Sequence, residues 1–162
     1  KAGPCEVAND NAPGQIVISG AAAAIAAACD LAKETGIKKA VPLPVSAPFH
    51  CSMMQPAADA MAEALAQIDI STPAVPLIAN VAADEIVEPA LIRSSLVAQV
   101  TGQVRWRESV NYMVSKGVST MIEAGAGNVL SVMNRRTAKG VVGQTMGTPA
   151  DIESVAELLE EF

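Results

Sequence analysis

Aromatic side chains are nearly missing from this chain, which has two Phe, one Tyr and one Trp in 162 residues, about 2%. A core must therefore be assembled from Ala, Val, Ile, Leu and Met. No apolar run approaches the roughly 20 residues needed to cross a bilayer, which excludes a helical membrane span. Charge is sparse as well: 17% of residues are charged against 51% hydrophobic, a balance that argues for a globular protein and against disorder. Lys and Arg number 11 against 17 Asp and Glu, a net charge of −6 that speaks against general nucleic-acid binding. Cysteines are few and scattered. Cys5, Cys29 and Cys51 show no CxxC or Cys/His ligand spacing, so they read as reduced thiols of a cytoplasmic protein, with no metal site. The opening "KAGPCEVAND" is neither a signal nor a transit peptide and lacks an initiator Met; it reads as the start of a chain cut from something longer.

What is present suits one ordinary domain with a core of its own. "CEVANDNAPGQIVISG" reads as strand, turn, strand, with Pro13-Gly14 supplying the two φ values of a type II turn. Residues 20–35 are helical by propensity, with Ile25, Cys29 and Ala32 on one face and Gly36 as the stop. "IKKAVPL" returns as a strand, giving a β-β-α-β block. Ser52 and Gln55 have capping-box spacing, and Met54, Ala58, Met61, Leu65 and Ile68 follow at helical intervals. "AVPLIANV" (74–81) reads as a strand buried on both faces.

Further on, Pro89 opens a helix carrying Leu91, Ile92, Leu96, Val97 and Val100, and a second runs from Trp106 to Lys116, closed by Gly117. "VSTMIEA" and "VVGQT" are strands flanking a helix. Thr148-Pro149-Ala150-Asp151 caps a last helix whose Ile152, Val155, Leu159 and Phe162 face inward. Strands alternating with helices from residue 41 onward predict α/β units and a mostly parallel sheet.

His50, in "VPLPVSAPFHCSMMQPAADAM", is the only histidine. It falls after a strand and before a helix, where open α/β sheets place their chemistry. A solitary histidine is also a common packing residue, and both readings stand at this point. No G-x-S-x-G elbow supplies a nucleophile: Ser19, Ser46 and Ser131 lack the flanking glycines. Cys51 adjoins His50, but consecutive side chains diverge. "GAGN" (125–128) reads as a tight strand-to-helix turn or, with less support from a single G-x-G, a phosphate cradle. Arg135-Arg136 near a helix C-terminus complement the dipole or form a small basic patch.

"NDNAPGQIVISG", "KKAVPLPVSAPFHC", "PLIANV", "QVRWRESV" and "EAGAGNVLSVMNRR" together resemble bacterial malonyl-CoA:acyl carrier protein transacylases, and only their C-terminal half. The resemblance implies the C-terminal part of an α/β-hydrolase-like acyltransferase fold. Residues 1–45 would belong to a ferredoxin-like small subdomain and 46–162 to the large α/β subdomain.

It also implies roles. His50 would be the base that activates a serine lying upstream, and Gln99 would orient it through its main-chain carbonyl. Phe49 would narrow the acyl pocket, Asn11 would face the active-site gorge, and Arg135 and Arg136 would meet the acidic acyl carrier protein. Malonyl-CoA and the carrier are the implied partners, together with an upstream N-terminal portion of the same enzyme. Coenzyme A and phosphopantetheine enter as substrate components, with no cofactor. The alternatives are an acyltransferase domain of a polyketide synthase, or an inactive piece that retains carrier binding. Three positions depart from the family pattern: Cys51 replaces a usual serine, and Gln103 and Ala126 replace prolines.

Overall fold

The computed structural model describes residues 2–160; the inward-facing place expected for Phe162 lies outside them. Strands β1 (Cys5–Ala12) and β2 (Gln15–Gly20) form an antiparallel hairpin. Pro13-Gly14 make its turn, and Gly14 sits at φ +72°, where an L side chain would be strained. Helix α1 (Ala22–Glu34) follows, buries Ala24, and ends at Gly36 with φ +83°.

The strand expected over 37–43 is not formed. No described segment offers this stretch an edge to pair with, and Val41, Leu43 and Val45 remain 58%, 53% and 59% exposed. Apolar pattern sets strand tendency, but a ladder needs a partner. The opening block is therefore β-β-α followed by an unpaired segment.

A short 3-10 turn (Ser52–Met54) leads into α2 (Gln55–Ala66). The Ser52/Gln55 capping box does not form: the Ser52 N–H that would reach the Gln55 side chain goes to the Glu6 carboxylate, a stronger acceptor than an amide. α2 lies against α3 (Pro89–Thr101) and the pair buries Ala58, Leu65 and Ile92. Met61 and Ile68, whose helical spacing predicts the same buried face, are exposed, and so are Leu91 and Leu96 of α3. The long buried strand expected over 74–81 shrinks to β3 (Leu77–Ala79), paired antiparallel with β4 (Asp84–Ile86). Among the described residues β3 pairs with β4 alone, and Val75, just before it, stays 72% exposed.

Helix α4 (Trp106–Ser115) is the centre of the molecule, with Val110 fully buried and Ser109 nearly so. It packs on β1, where Ala8, Asp10 and Ala12 alternate inward and their small size lets helix and strand approach closely. A parallel bridge joins β1 to Val104 through Asp10 N–H to Val104 O and Val104 N–H to Ala8 O, both 2.8 Å. Strand β5 (Thr120–Ala124), helix α5 (Val129–Thr137) and strand β6 (Val142–Met146) form a parallel β-α-β unit.

Among the described residues the expected mostly parallel sheet is thus three two-stranded ladders, one of them parallel. Helix α6 (Pro149–Leu159) starts with the expected capping box: Asp151 N–H donates to Thr148 Oγ1, and Thr148 N–H to the Asp151 carboxylate. Of its expected inward residues Val155 is buried, while Ile152 and Leu159 are exposed. The class is α/β, as the sequence reading has it. No described helix is long and apolar enough to cross a membrane.

Candidate functional site

His50 ends the unpaired segment, one residue, Cys51, before the 3-10 turn. Its backbone lies at φ +56°, the left-handed region that non-glycine residues seldom adopt. Its ring Nδ1 is 2.9 Å from the main-chain oxygen of Gln99, near the end of α3. A carbonyl oxygen only accepts, so Nδ1 is the donor, and in the neutral form of the ring the lone pair lies on Nε2. The local arrangement is a fixed imidazole with one nitrogen spoken for and the other available to take a proton.

Each neighbour of His50 is tied down. Phe49 N–H donates to Ala47 O at 3.0 Å, and the Phe49 side chain is 47% exposed. Cys51 is completely buried and its thiol donates to Pro48 O at 3.1 Å, so it packs as a small apolar group. Ser52 N–H donates to Glu6 Oε2 at 3.0 Å, and the Ser52 hydroxyl bonds the other oxygen of the same carboxylate.

Among the described hydrogen bonds none joins the Gln99 side chain to His50. Gln99 Nε2 donates to Gly102 O at 3.0 Å and to Gln103 O at 3.4 Å, fixing the turn after α3. Gln99 also lines an apolar cleft of about 190 Å³ with Ile78, Ile86, Ile92 and Leu96. A larger one, about 250 Å³ among Trp106, Met121, Ile122 and Leu130, is lined by neither His50 nor Gln99.

Asn11 is half-buried near the tip of the hairpin, and among the described residues no hydrogen bond joins it, Arg135 or Arg136 to His50. The two arginines differ. Arg136 donates to Gln15 Oε1 at 2.7 Å and to Pro13 O at 3.1 Å, strapping α5 to the hairpin turn. Arg135 is exposed at the same helix end.

"GAGN" is a strand-to-helix turn whose helix end is already filled. Glu123 accepts from Leu130 N–H at 3.0 Å and Ser131 N–H at 2.8 Å, so a carboxylate holds the place a phosphate would take. Burial pulls the Glu123 pKa upward, but these N–H groups, with the Ser131 hydroxyl and Val129 N–H, together hold it below the ordinary glutamate range.

Sequence reasoning missed Glu6, Asp10 and Arg107. Asp10 is buried, with 6% of its surface exposed, and takes a bidentate grip from Arg107 at 2.5–3.0 Å, 97 positions away. The signal was an acid in the inward register of an otherwise alanine-faced strand, which demands a cationic partner. The rest of "QVRWRESV" is structural too. Arg105 pairs with Glu108 and donates to Ala82 O, and Trp106 Nε1 donates to Asn134 Oδ1 at 3.0 Å. Among the described residues no three His, Cys, Asp or Glu side chains converge on a point.

No protein-family model matches the chain. Over 156 residues, 96% of its length, it is 43% identical to the malonyl CoA-acyl carrier protein transacylase of Bacillus subtilis and covers 49% of that protein. The crystal structure of an acyl-carrier-protein-S-malonyltransferase from Bartonella henselae superposes with a TM-score of 0.93 at 49% identity, over 96% of this chain and 50% of that one. A type II polyketide acyl-carrier protein in complex with its malonyl-transacylase contains a chain that superposes with a TM-score of 0.92 at 34% identity, over 97% of this chain and 51% of that one. The chain spans about half the length of the relatives it matches, and that half is the C-terminal one. Over this part its fold is the α/β fold of the acyl-carrier-protein malonyltransferases.

Proposed function

We propose that this chain, which matches the C-terminal half of malonyl-CoA:acyl carrier protein transacylases, supplies the base for moving a malonyl group from coenzyme A to a carrier-protein thiol. The observation that carries the reading is the 2.9 Å contact of His50 Nδ1 with Gln99 O. It leaves Nε2 bare, as general-base work requires.

The nucleophilic serine would come from a preceding N-terminal portion, for which the relatives have room and which this chain does not match. Nε2 takes the serine proton as its oxygen attacks the malonyl thioester carbonyl. The coenzyme A sulfur leaves with that proton, and a malonyl-serine ester remains. In the second half Nε2 takes the proton of the pantetheine thiol, the sulfur attacks the ester, and the proton returns to the serine oxygen. Phe49, beside the base and half exposed, narrows the acyl pocket against an extra methyl. Asn11 faces the gorge. Arg135 meets the acidic carrier directly, and Arg136 acts through the hairpin it braces.

Coenzyme A and phosphopantetheine are substrate parts; no resident cofactor is needed. The setting is cytoplasmic fatty acid synthesis of the type II kind. The polyketide carrier bound to a similar transacylase supports a second reading, in which the acceptor is a polyketide carrier protein.

The test is a chimera in which this chain follows the N-terminal half of the Bacillus subtilis transacylase. It should transfer malonyl groups to carrier protein, and His50→Ala should lower the rate by about a hundredfold or more. The chain alone should acquire no malonyl ester by intact mass. A malonyl adduct on the isolated chain, or a chimera indifferent to His50→Ala, overturns the reading.

A further inference from the structure

We infer that Glu6 is a positioning residue for His50, an inference that rests on His50 being the base. A histidine at φ +56° holds that conformation only if its surroundings over-determine it. The local restraints are Phe49 N–H to Ala47 O before His50 and the Cys51 thiol to Pro48 O, which spans it. Beyond Cys51 the chain is held from a distant segment, by Glu6, 46 positions before Ser52. It receives both the N–H and the hydroxyl of Ser52 on its two oxygens. Only an ionised carboxylate can accept both without offering a donor of its own, and both bonds are charge-assisted.

The restraint closes a circuit. Glu6 lies on β1, whose Ala8 and Asp10 are bonded to Val104 and whose Asp10 is gripped by Arg107. Val104 follows Gly102 and Gln103, whose carbonyls accept from the Gln99 side chain. The Gln99 carbonyl in turn accepts from His50 Nδ1. The ring and the backbone leaving His50 are therefore both referenced to residues 102–107, one through α3 and the other through β1 and Glu6. Removing Glu6 opens the circuit on the side of the main chain, so the imidazole is no longer held on the Gln99 carbonyl.

His50 is the only histidine, so a long-range 1H–15N spectrum of the labelled 162-residue chain reports on this ring alone. The unaltered chain should show one neutral tautomer, protonated at Nδ1, with the two nitrogen resonances far apart. Glu6→Ala should move those resonances toward each other as the tautomers mix, and Glu6→Gln, which keeps one acceptor, should fall between. Ser52→Ala leaves β1 untouched and removes only the hydroxyl bond; it should give a smaller change of the same sign, and it serves if Glu6→Ala fails to fold.

In the chimera Glu6→Ala should lower kcat with KM for malonyl-CoA kept. Unmoved His50 nitrogens in folded Glu6→Ala, or in Ser52→Ala if that variant stands in, overturn the role of Glu6 and leave the base intact. A mixed or Nε2-protonated ring in the unaltered chain overturns the assignment of His50 as base, and the role of Glu6 with it.

Discussion

Gln99 serves His50 with its backbone and not with its side chain: the carbonyl meets Nδ1 at 2.9 Å while the amide group turns to Gly102 O at 3.0 Å. Gln99→Ala preserves the carbonyl and loses a part-exposed bond worth about 0.5–1.5 kcal/mol, so the His50 tautomer should persist and transfer by the chimera should stay within about tenfold. Gly102→Ala should do the opposite. A Cβ there would sit 2.7 Å from Ala98 O and 2.8 Å from Val81 Cγ2, and the oxygen cannot yield without displacing the last turn of α3. The expected loss is about 1–3 kcal/mol by urea denaturation, with mixed His50 tautomers. If Gln99→Ala disturbed the ring more than Gly102→Ala, the side chain and not the carbonyl would be the orienting group.

What was legible beforehand divides by distance along the chain. The Thr148–Asp151 capping box, the Pro13-Gly14 turn and the Gly36 and Gly117 stops depend on residues a few positions apart, and all were readable as local chemistry. The ladders expected at 37–43 and 74–81 were not, because the apolar pattern of Val41, Leu43 and Val75 states a need for burial without naming what meets it. His50 stood out by uniqueness and position. Its contact with Gln99 was reachable only through resemblance, since nothing in "LVAQV" marks a carbonyl as special. Glu6 was passed over, and Ser52 was assigned to its own helix, while the winning acceptor lay 46 positions away.

Glu123 gives an acid-side signature. Burial raises its pKa, but the N–H groups at the start of α5 and the Ser131 hydroxyl outweigh burial and hold it below the usual value. A lowered folded-state pKa means the unfolded chain takes up the proton first. The contribution is therefore intact above the unfolded value, about pH 4.3, and is lost as pH falls through the folded value. Glu123→Gln should be less stable than the parent at neutral pH. The two urea midpoints should converge as pH is lowered from about 6 to about 3. Parallel curves over that range would mean that the carboxylate contributes nothing through its charge.

Two L-residues share the left-handed region almost to the degree, His50 at φ +56° and Ala83 at φ +54°. Ala83 lies in the turn between β3 and β4, where Ala83 N–H reaches back to Ala79 O at 2.7 Å, and its methyl group makes no hydrogen bond. The left-handed conformation costs an alanine about 1–2 kcal/mol, and glycine gives back about 0.4–1 kcal/mol through the freer unfolded chain. Ala83→Gly should therefore gain about 0.5–1 kcal/mol, raise Tm by roughly 2–3 °C and leave the His50 nitrogens unmoved. His50→Gly relieves the same backbone strain but forfeits the bond to Gln99 O, about 0.5–1.5 kcal/mol, so its Tm should stay near the parent's while transfer by the chimera collapses. Equal strain at the two sites, removable with profit at one and only with loss of the base at the other, is what a backbone held for chemistry should show. A Tm for Ala83→Gly at or below the parent's would remove the ground for treating either position as strained.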